Sequence, residues 1–203
     1  MARPRTIEDA ALLDVAREVF VRRGVDTPTS AIARAAGVSE ATLFKRFGSK
    51  ERLLAQAMQM PDPESLRAAI LAPMAPGGER AHVESIALRL IGYFREMLPR
   101  MLALHAAGPQ GLEAAIRPGC GGESPPRRIL TAVTEQLAEC RARGVLRAVE
   151  PELLARVLIA SVHNFVFFEH IGIANAAVPD AEAYVCGLMD LLWFGAAAPG
   201  EAA

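Results

Sequence analysis

The chain has few of the residues that mark a metal site or a disulfide-stabilised scaffold. Its three cysteines, Cys120, Cys140 and Cys186, are far apart and odd in number, and no CxxC or His/Cys metal spacing is present. This pattern argues against a disulfide framework and gives no basis for a metal site. No cofactor or metal is therefore predicted, and a reducing compartment is indicated.

Long hydrophobic runs and catalytic signatures are also missing. Glu8, Asp9 and Asp14 interrupt the N-terminal segment where a secretory signal would have its apolar core. No stretch reaches the roughly 18 uninterrupted apolar residues of a membrane span. The motifs GxSxG, GxGxxG, HExxH and the P-loop do not occur. We therefore expect a cytoplasmic protein that has no membrane partner and is not an enzyme.

Apolar residues in long segments are what the sequence has in abundance. They make up 52% of the 203 residues and are mostly Ala, Leu, Val and Ile. The segments are longer than typical strands, which predicts an all-α fold. Aromatic residues amount to only 5%, and five of the eight phenylalanines lie after position 90. The large side chains are thus concentrated in the second part of the chain.

Charges of opposite sign prevail in the two parts of the sequence. Residues 1–53 contain ten basic and seven acidic residues, a net charge of +3, whereas the remainder contains twelve and sixteen, a net charge of −4. A basic end joined to a larger acidic body suggests a small nucleic-acid-binding module on a domain that does not bind nucleic acid.

Four helices are predicted in the first 60 residues, over 7–23, 28–36, 40–47 and about 50–60. Gly24 and Gly37 end the first and second helices, and the second, third and fourth helices begin after Thr27, Ser39 and Ser49, which are suitable N-caps. The second and third helices are joined only by residues 37–39. Two short helices around a tight turn that contains glycine are the signature of a helix-turn-helix.

The third of these helices has an inner and an outer face. Leu43 and Phe47 are four residues apart and are predicted to face the core, so Thr42 and Lys45 point outward. The major groove of DNA admits one α-helix, and this outer face has a suitable size to lie in it. Lys45 would then reach a guanine edge or a phosphate. The alternative is a set of ordinary solvated charges on a small bundle. The helix-turn-helix arrangement favours the DNA-binding interpretation.

The stretch TSAIARAAGVSEATLFKRFGSKERLL, residues 29–54, resembles the DNA-binding segment of the TetR family of bacterial transcriptional regulators. The positions that match the family pattern in register are Ile32, Ala33, Ala36, Gly37, Val38, Ser39, Thr42, Leu43, Phe47, Ser49, Lys50, Glu51 and Leu53. The resemblance implies a helix-turn-helix DNA-binding domain over 1–54. It also implies a larger α-helical effector-binding and dimerisation domain over 55–203.

The expected DNA-contacting residues follow from this resemblance and from the starts of the second and fourth predicted helices, where backbone N–H groups attract phosphate. They are Thr29, Ser39, Ala41, Thr42, Phe44, Lys45, Arg46 and Lys50. Ala41 stands where relatives usually have Gly, and Phe44 stands where they usually have a Tyr that bonds a phosphate. Arg46, where relatives often have His or Tyr, could restore that phosphate contact.

Three helices are predicted in the C-terminal part, over about 126–143, 151–171 and 180–194. The last two are apolar nearly all round, so they must be buried on more than one side. One side fits the core of the domain and the other a second subunit, with a predicted interface of Val157, Phe165, Phe168, Leu188 and Leu192. The alternative is a helix pair fully buried in a monomer. A homodimer would place two recognition helices roughly 34–36 Å apart, so that they read a palindrome.

Aromatic, methionine and histidine residues in the same part are candidates for a ligand cavity, in which a few polar groups orient an apolar molecule. The candidate residues are Tyr93, Phe94, Met97, Met101, His105, His163 and Phe167. The alternative is that these residues are plain core. Pro99 lies within the set and predicts a kink or the start of a new helix.

The resemblance implies a repressor that binds palindromic double-stranded operator DNA and is released by a small apolar effector. A first alternative is a TetR-like scaffold that stays on DNA and recruits a protein partner without an effector. A second is a helical enzyme or carrier whose basic corner is incidental.

Overall fold

The computed structural model describes residues 8–74, 77–108, 124–146, 149–173 and 180–195. Within these ranges the chain forms α-helices and no strand, which confirms the predicted all-α fold. The helices are α1 (Asp9–Arg23), α2 (Thr29–Ala36), α3 (Glu40–Phe47), α4 (Lys50–Ala57), α5 (Pro63–Ile70), α6 (Gly78–Ala106), α7 (Pro125–Ala142), α8 (Pro151–His170) and α9 (Ala181–Phe194).

The chain divides into two compact units. The first unit comprises Met1–Pro61 and Glu96–Arg117, and the second comprises Asp62–Arg95 and Pro118–Ala203. Helix α6 therefore contributes its last part to the first unit and its earlier part to the second. The domain boundary between residues 54 and 55 stays a prediction. The division into compact units falls between residues 61 and 62.

The first unit is built around the apolar faces of α1 to α4. Leu12 and Phe20 of α1, Ile32 of α2 and Leu53 of α4 are almost completely buried, and Leu104 near the end of α6 joins the same cluster. The apolar residues recur every three or four positions, so each helix presents one stripe to this core. Burial of these side chains fixes the orientation of α3, which packs on α2 and α4.

The turn between α2 and α3 depends on Gly37, which has φ +67° and ψ +27°. This left-handed conformation costs glycine nothing, whereas other residues strain to adopt it. The start of α2 differs from the prediction. Its N-cap is Pro28, the helix begins at Thr29, and the hydroxyl of Thr27 donates to the carbonyl oxygen of Gly24 at 2.8 Å.

The second unit packs α7 against α5 and α8, and α8 against α9. Its core contains Leu90 and Ile91 of α6, Val133 of α7, Leu158 of α8 and Met189 of α9, all buried. Asp62 begins α5 by accepting hydrogen bonds from the backbone N–H groups of Glu64 and Ser65 at 3.0 and 3.1 Å. A side-chain hydrogen bond from Ser65, added to these, lowers the pKa of Asp62.

Two helix bounds differ from the prediction. Helix α4 ends at Ala57 rather than near 60, and α6 runs without interruption through Pro99, where a kink or a new helix was predicted. Residues 109–123, which include Cys120, lie outside the described part of the chain.

Among the described helices, α8 is long and apolar enough to cross a membrane by length and composition alone. Only 28% of its most apolar window is buried. One helix of this kind is weak evidence for a membrane span, because a core helix of a globular protein has the same composition.

Candidate nucleic-acid interface

Helix α3 is anchored by its inner face and open on its outer face. Leu43 and Phe47 are buried in the first unit, as predicted, while Ala41 and Lys45 are exposed. Phe44 is 43% exposed, which is unusual for so large an apolar side chain. The outer face therefore combines a cation, a methyl group and an aromatic ring, which suit phosphate or base-edge contacts and thymine methyl contacts.

A pair of hydroxyl groups stands at the start of α3. The Oγ of Ser39 accepts a hydrogen bond from the backbone N–H of Thr42 at 3.1 Å, so Ser39 is the N-cap, as predicted. The Oγ of Ser39 and the Oγ1 of Thr42 are also 2.8 Å apart. The two hydroxyls thus hold each other in position beside the exposed N-terminal turn.

Thr29 was predicted to contact phosphate, but its side chain is only 8% exposed. Its hydroxyl donates to a carboxylate oxygen of Glu40, the first residue of α3. This hydrogen bond joins the start of α2 to the start of α3. Sequence reasoning missed the role of Glu40, although an acidic residue at a helix start is an ordinary signal of stabilisation there.

Arg46 was predicted to restore a phosphate contact, and the structure gives its guanidinium a partner within the protein. Its Nη1 donates to a carboxylate oxygen of Asp9 in α1 at 2.9 Å. Asp9 is 37 positions away, so no local pattern in the sequence points to this ion pair. Arg46 therefore links α3 to α1, and its contribution to a DNA contact stays a prediction.

The start of α4 brings further charge to the first unit. Ser49 accepts a hydrogen bond from the backbone N–H of Arg52 at 3.2 Å and is the N-cap, as predicted. Lys50 is half-buried and Arg52 is exposed. A hydrogen bond with Ser49, added to the proximity of Lys50, lowers the pKa of Glu51. Sequence reasoning did not single out Arg52, although its position in the first turn of α4 was visible.

The predicted ligand residues fall into both units. Tyr93, Phe94, His163 and Phe167 lie in the second unit, whereas Met97, Met101 and His105 lie in the first. Within the second unit, the rings of Phe94 and His163 meet edge to face with centroids 5.2 Å apart. His105 is exposed. A single pocket made of all seven residues stays a prediction.

The predicted dimer residues differ in exposure. Val157 and Phe168 are each 40% exposed, whereas Leu192 is half-buried and Leu188 lies in the core of the second unit. Phe165 is half-buried and stacks on Tyr184 with ring centroids 4.5 Å apart. The exposed apolar side chains of α9 are Leu191 and Phe194, neither of which was in the predicted set.

Two short helices around the Gly37 turn, with an anchored inner face and an open outer face, form a helix-turn-helix, the motif that in many DNA-binding proteins places its second helix in the major groove. Residues 12–57 match the family model described as bacterial regulatory proteins, tetR family. The resemblance to the TetR family of bacterial transcriptional regulators is therefore confirmed.

Solved structures show the same fold over nearly the whole chain. The TetR family regulator PfmR from Thermus thermophilus is 21% identical, with a TM-score of 0.64 over 92% of this chain and 99% of that one. A TetR-like regulator from a Rhodococcus species is 22% identical, with a TM-score of 0.61 over 96% and 98%. FadR from Bacillus subtilis, in complex with stearoyl-CoA, is 16% identical, with a TM-score of 0.59 over 93% and 99%.

The family match covers the helix-turn-helix, and the structural likenesses establish the fold of the remainder. The TetR family consists of transcriptional regulators rather than enzymes. The comparisons thus show a helix-turn-helix of the tetR type over residues 12–57, in a chain that has the fold of TetR-like regulators.

Proposed function

We propose that the chain is a homodimeric repressor that binds a palindromic operator through α3 and is released by a small apolar effector. The observation that carries the proposal is the outer face of α3. Lys45 and Phe44 are exposed there although the helix is held firmly by buried Leu43 and Phe47. A rigid helix with an open face is what a major groove accepts.

The polar groups around α3 suit two roles. Contacts to phosphates would position the protein on DNA, and contacts to bases would read the DNA sequence. Lys50 and Arg52 flank the N-terminus of α4, where a phosphate would find both side-chain charge and backbone N–H groups. Lys45 would reach a guanine edge or a phosphate, and Thr42 and Phe44 would meet base edges and thymine methyl groups. Thr29 and Arg46 would act mainly by holding α2 and α1 against α3 through Glu40 and Asp9.

Dimerisation is supported by exposed apolar side chains of α8 and α9. Leu153, Val157, Phe168, Leu191 and Phe194 are each at least 40% exposed. In α8 these positions are separated by 4 and 11 residues, which is about one and about three helical turns, so they form one stripe along the helix. An apolar stripe of this kind on packed helices is a typical subunit interface. A two-fold dimer through it would pair the two recognition helices.

Control by an effector is supported by the way α6 enters both units. In the first unit, Nη1 of Arg100 in α6 donates to the carbonyl oxygen of Gln59 at 2.9 Å, just beyond the end of α4. The Nε of Arg17 in α1 donates to the carbonyl oxygen of Ala57 at 2.7 Å. A ligand in the second unit that favours one position of α6 would thereby shift the population of α4 positions.

An effector with a long apolar chain is supported by one solved structure of the same fold. FadR from Bacillus subtilis was solved with stearoyl-CoA. The aromatic contacts of Phe94 with Tyr93 and His163 offer a largely apolar surface in the second unit, with two polar groups, the hydroxyl of Tyr93 and the imidazole of His163. Stearoyl-CoA is therefore the first effector to test.

The DNA-binding part is tested by selecting operators from a random duplex library with the purified full-length protein. We expect a palindromic motif whose affinity falls steeply with salt, because each phosphate contact releases counterions. Failure to enrich any sequence would overturn the proposal.

The effector part is tested on the selected operator with stearoyl-CoA and with CoA as the control. We expect stearoyl-CoA, but not CoA, to lower the affinity for the operator. Unchanged affinity with both would favour a DNA-bound scaffold.

A further inference from the structure

A cleft of about 270 Å³ opens in the second unit, apart from the aromatic residues discussed above. One wall is the chain that follows α5, residues 71–74, which ends in the partly exposed side chain of Met74. The opposite wall is formed by the start of α6 and the end of α7. The polar residues of that wall are Glu79, His82, Gln136, Glu139 and Arg143.

The floor of the cleft is polar although it lies in a helical core. The ring of His82 is only 8% exposed, and its Nε2 lies 2.7 Å from Oε1 of Gln136. Gln136 is half-buried, but burial of the imidazole of His82 costs desolvation energy that an apolar side chain would not, so apolar packing alone does not explain a histidine at this position. Cys140 lies beside the pair, and burial raises the pKa of its thiol, which keeps it uncharged.

The rim of the cleft carries two carboxylates and one guanidinium. Nη1 of Arg143 is 3.6 Å from Oε1 of Glu79, and Nη2 is 3.6 Å from Oε2 of Glu139. These distances exceed those of close ion pairs in the same unit, such as 2.9 Å between Arg80 and Glu84. The side chain of Arg143 is also 49% exposed. The guanidinium is thus held loosely between two carboxylates, and the three groups carry a net negative charge.

We infer that this cleft binds a small organic cation, such as an amine, amidine or guanidine, with its charged group between Glu79 and Glu139. The loosely held guanidinium of Arg143 marks the place and the chemistry that the two carboxylates accept. The apolar part of the ligand lies against Leu71 and Met74. The cation displaces Arg143 toward solvent, so the arginine competes with the ligand and weakens its binding.

The test uses three probes of equal size and different charge, namely benzamidine, neutral benzamide and anionic benzoate. Each is titrated calorimetrically into the full-length protein without DNA. We expect binding of benzamidine only. Glu79→Gln and Glu139→Gln should each weaken that binding about tenfold or more, the factor that one charge-assisted hydrogen bond typically carries. Glu135→Gln, an exposed site on α7 outside the cleft, is the matched control.

The decisive variant is Arg143→Ala, because the two possible signs of the ligand charge predict opposite results. For a cation, removal of the competing guanidinium strengthens benzamidine binding several-fold, whereas Arg141→Ala at the same helix end leaves it unchanged. If Arg143→Ala instead abolishes binding of benzoate, the cleft is an anion site and the inference is wrong. Absence of benzamidine binding to the unaltered protein also overturns it.

Occupancy of this cleft is read independently by the ring resonances of the histidines. The chain has only four, and His82→Gln identifies the signal at the floor of the cleft. Benzamidine should shift the His82 signal and leave that of exposed His105 in place. Because no DNA is present, failure of this test leaves the proposed operator binding untouched.

Discussion

At the scale of single residues, Lys45 and Arg46 are neighbours in the sequence but have different surroundings. Lys45 is exposed on the outer face of α3, whereas Arg46 pairs with Asp9 of α1. Their charges are equal, so substitution of each by alanine separates a DNA contact from a contact within the protein.

We expect Lys45→Ala to lower the affinity for the selected operator and to reduce the salt dependence by about one counterion, as loss of one phosphate contact does. Arg46→Ala should affect operator affinity less and reduce the free energy of unfolding by about 0–1 kcal/mol, as for a partly exposed ion pair. Affinity measured over a salt series, with Arg89→Ala of the second unit as the control, checks this. Equal salt dependences for Lys45→Ala and Arg89→Ala would contradict the contact.

The two tyrosines predict a loss of stability at alkaline pH. Burial raises the pKa of Tyr93 and of Tyr184, so folding favours the neutral phenol. Their contribution is complete below the ordinary phenol pKa of about 10 and is lost as pH rises through the higher folded value.

Absorbance titration of the phenolates should therefore show both tyrosines ionising later in the folded protein than in urea. The free energy of unfolding should fall less steeply at high pH in Tyr184→Phe, which also loses a hydrogen bond to the carbonyl oxygen of Ser161 at 3.0 Å. The variant that carries both Tyr93→Phe and Tyr184→Phe shows how much of the change in the free energy of unfolding at high pH comes from other groups. The argument fails if folded and unfolded phenols titrate together.

At the scale of the elements, the hydrogen bond between Thr29 and Glu40 should stabilise the contact of α2 with α3. Thr29→Val keeps the shape of the side chain but removes its hydroxyl. We expect a coupling energy of about 1 kcal/mol between Thr29→Val and Glu40→Ala in a double-mutant cycle. Urea denaturation measures it, and Ser30→Val, at an exposed neighbouring position, is the control. Additive effects of the two substitutions would show that the hydrogen bond contributes nothing.

The bounds of α3 could be predicted from the sequence, since Ser39 and Gly48 are local signals directly beside it. The all-α fold and the family resemblance were predicted on equally local grounds, namely helical periodicity and the motif over residues 29–54. Both are confirmed. The bonds of Thr29 to Glu40 and of Arg46 to Asp9 could not be predicted, because they join residues 11 and 37 positions apart.

Helix α6 shows a second limit of local reasoning. Proline removes a backbone donor and usually breaks or bends a helix, so Pro99 predicted an interruption. The residues that flank it, Leu98 and Leu104 among them, are buried, and their packing stabilises the helix on both sides. Tertiary packing thus outweighs the local cost of the proline. The ligand and interface sets depend on such contacts and stay predictions.

At the scale of the whole molecule, the exposed apolar stripe of α8 and α9 should determine the oligomeric state. We expect Phe168→Asp and Leu191→Asp to convert a dimer into a monomer, because a carboxylate would be buried without a partner in the interface. Ala138→Asp, which adds the same charge to an exposed position on α7, should leave the dimer intact. Sedimentation velocity measures the change. A monomeric unaltered protein, or variants that remain dimeric, would rule out this interface.

The ion pair of Arg46 with Asp9 bears on how quickly a regulator of this kind would find its target. A genome offers a vast excess of non-specific sequences, and every additional contact between a cation and a phosphate lengthens the time that the protein stays bound to them. Since Asp9 holds the guanidinium within the protein, we expect shorter encounters with random duplex, while the anchoring of α3 is kept. For a regulator of the proposed kind, the carboxylate in α1 would thus favour rapid scanning of DNA over tight attachment to any part of it.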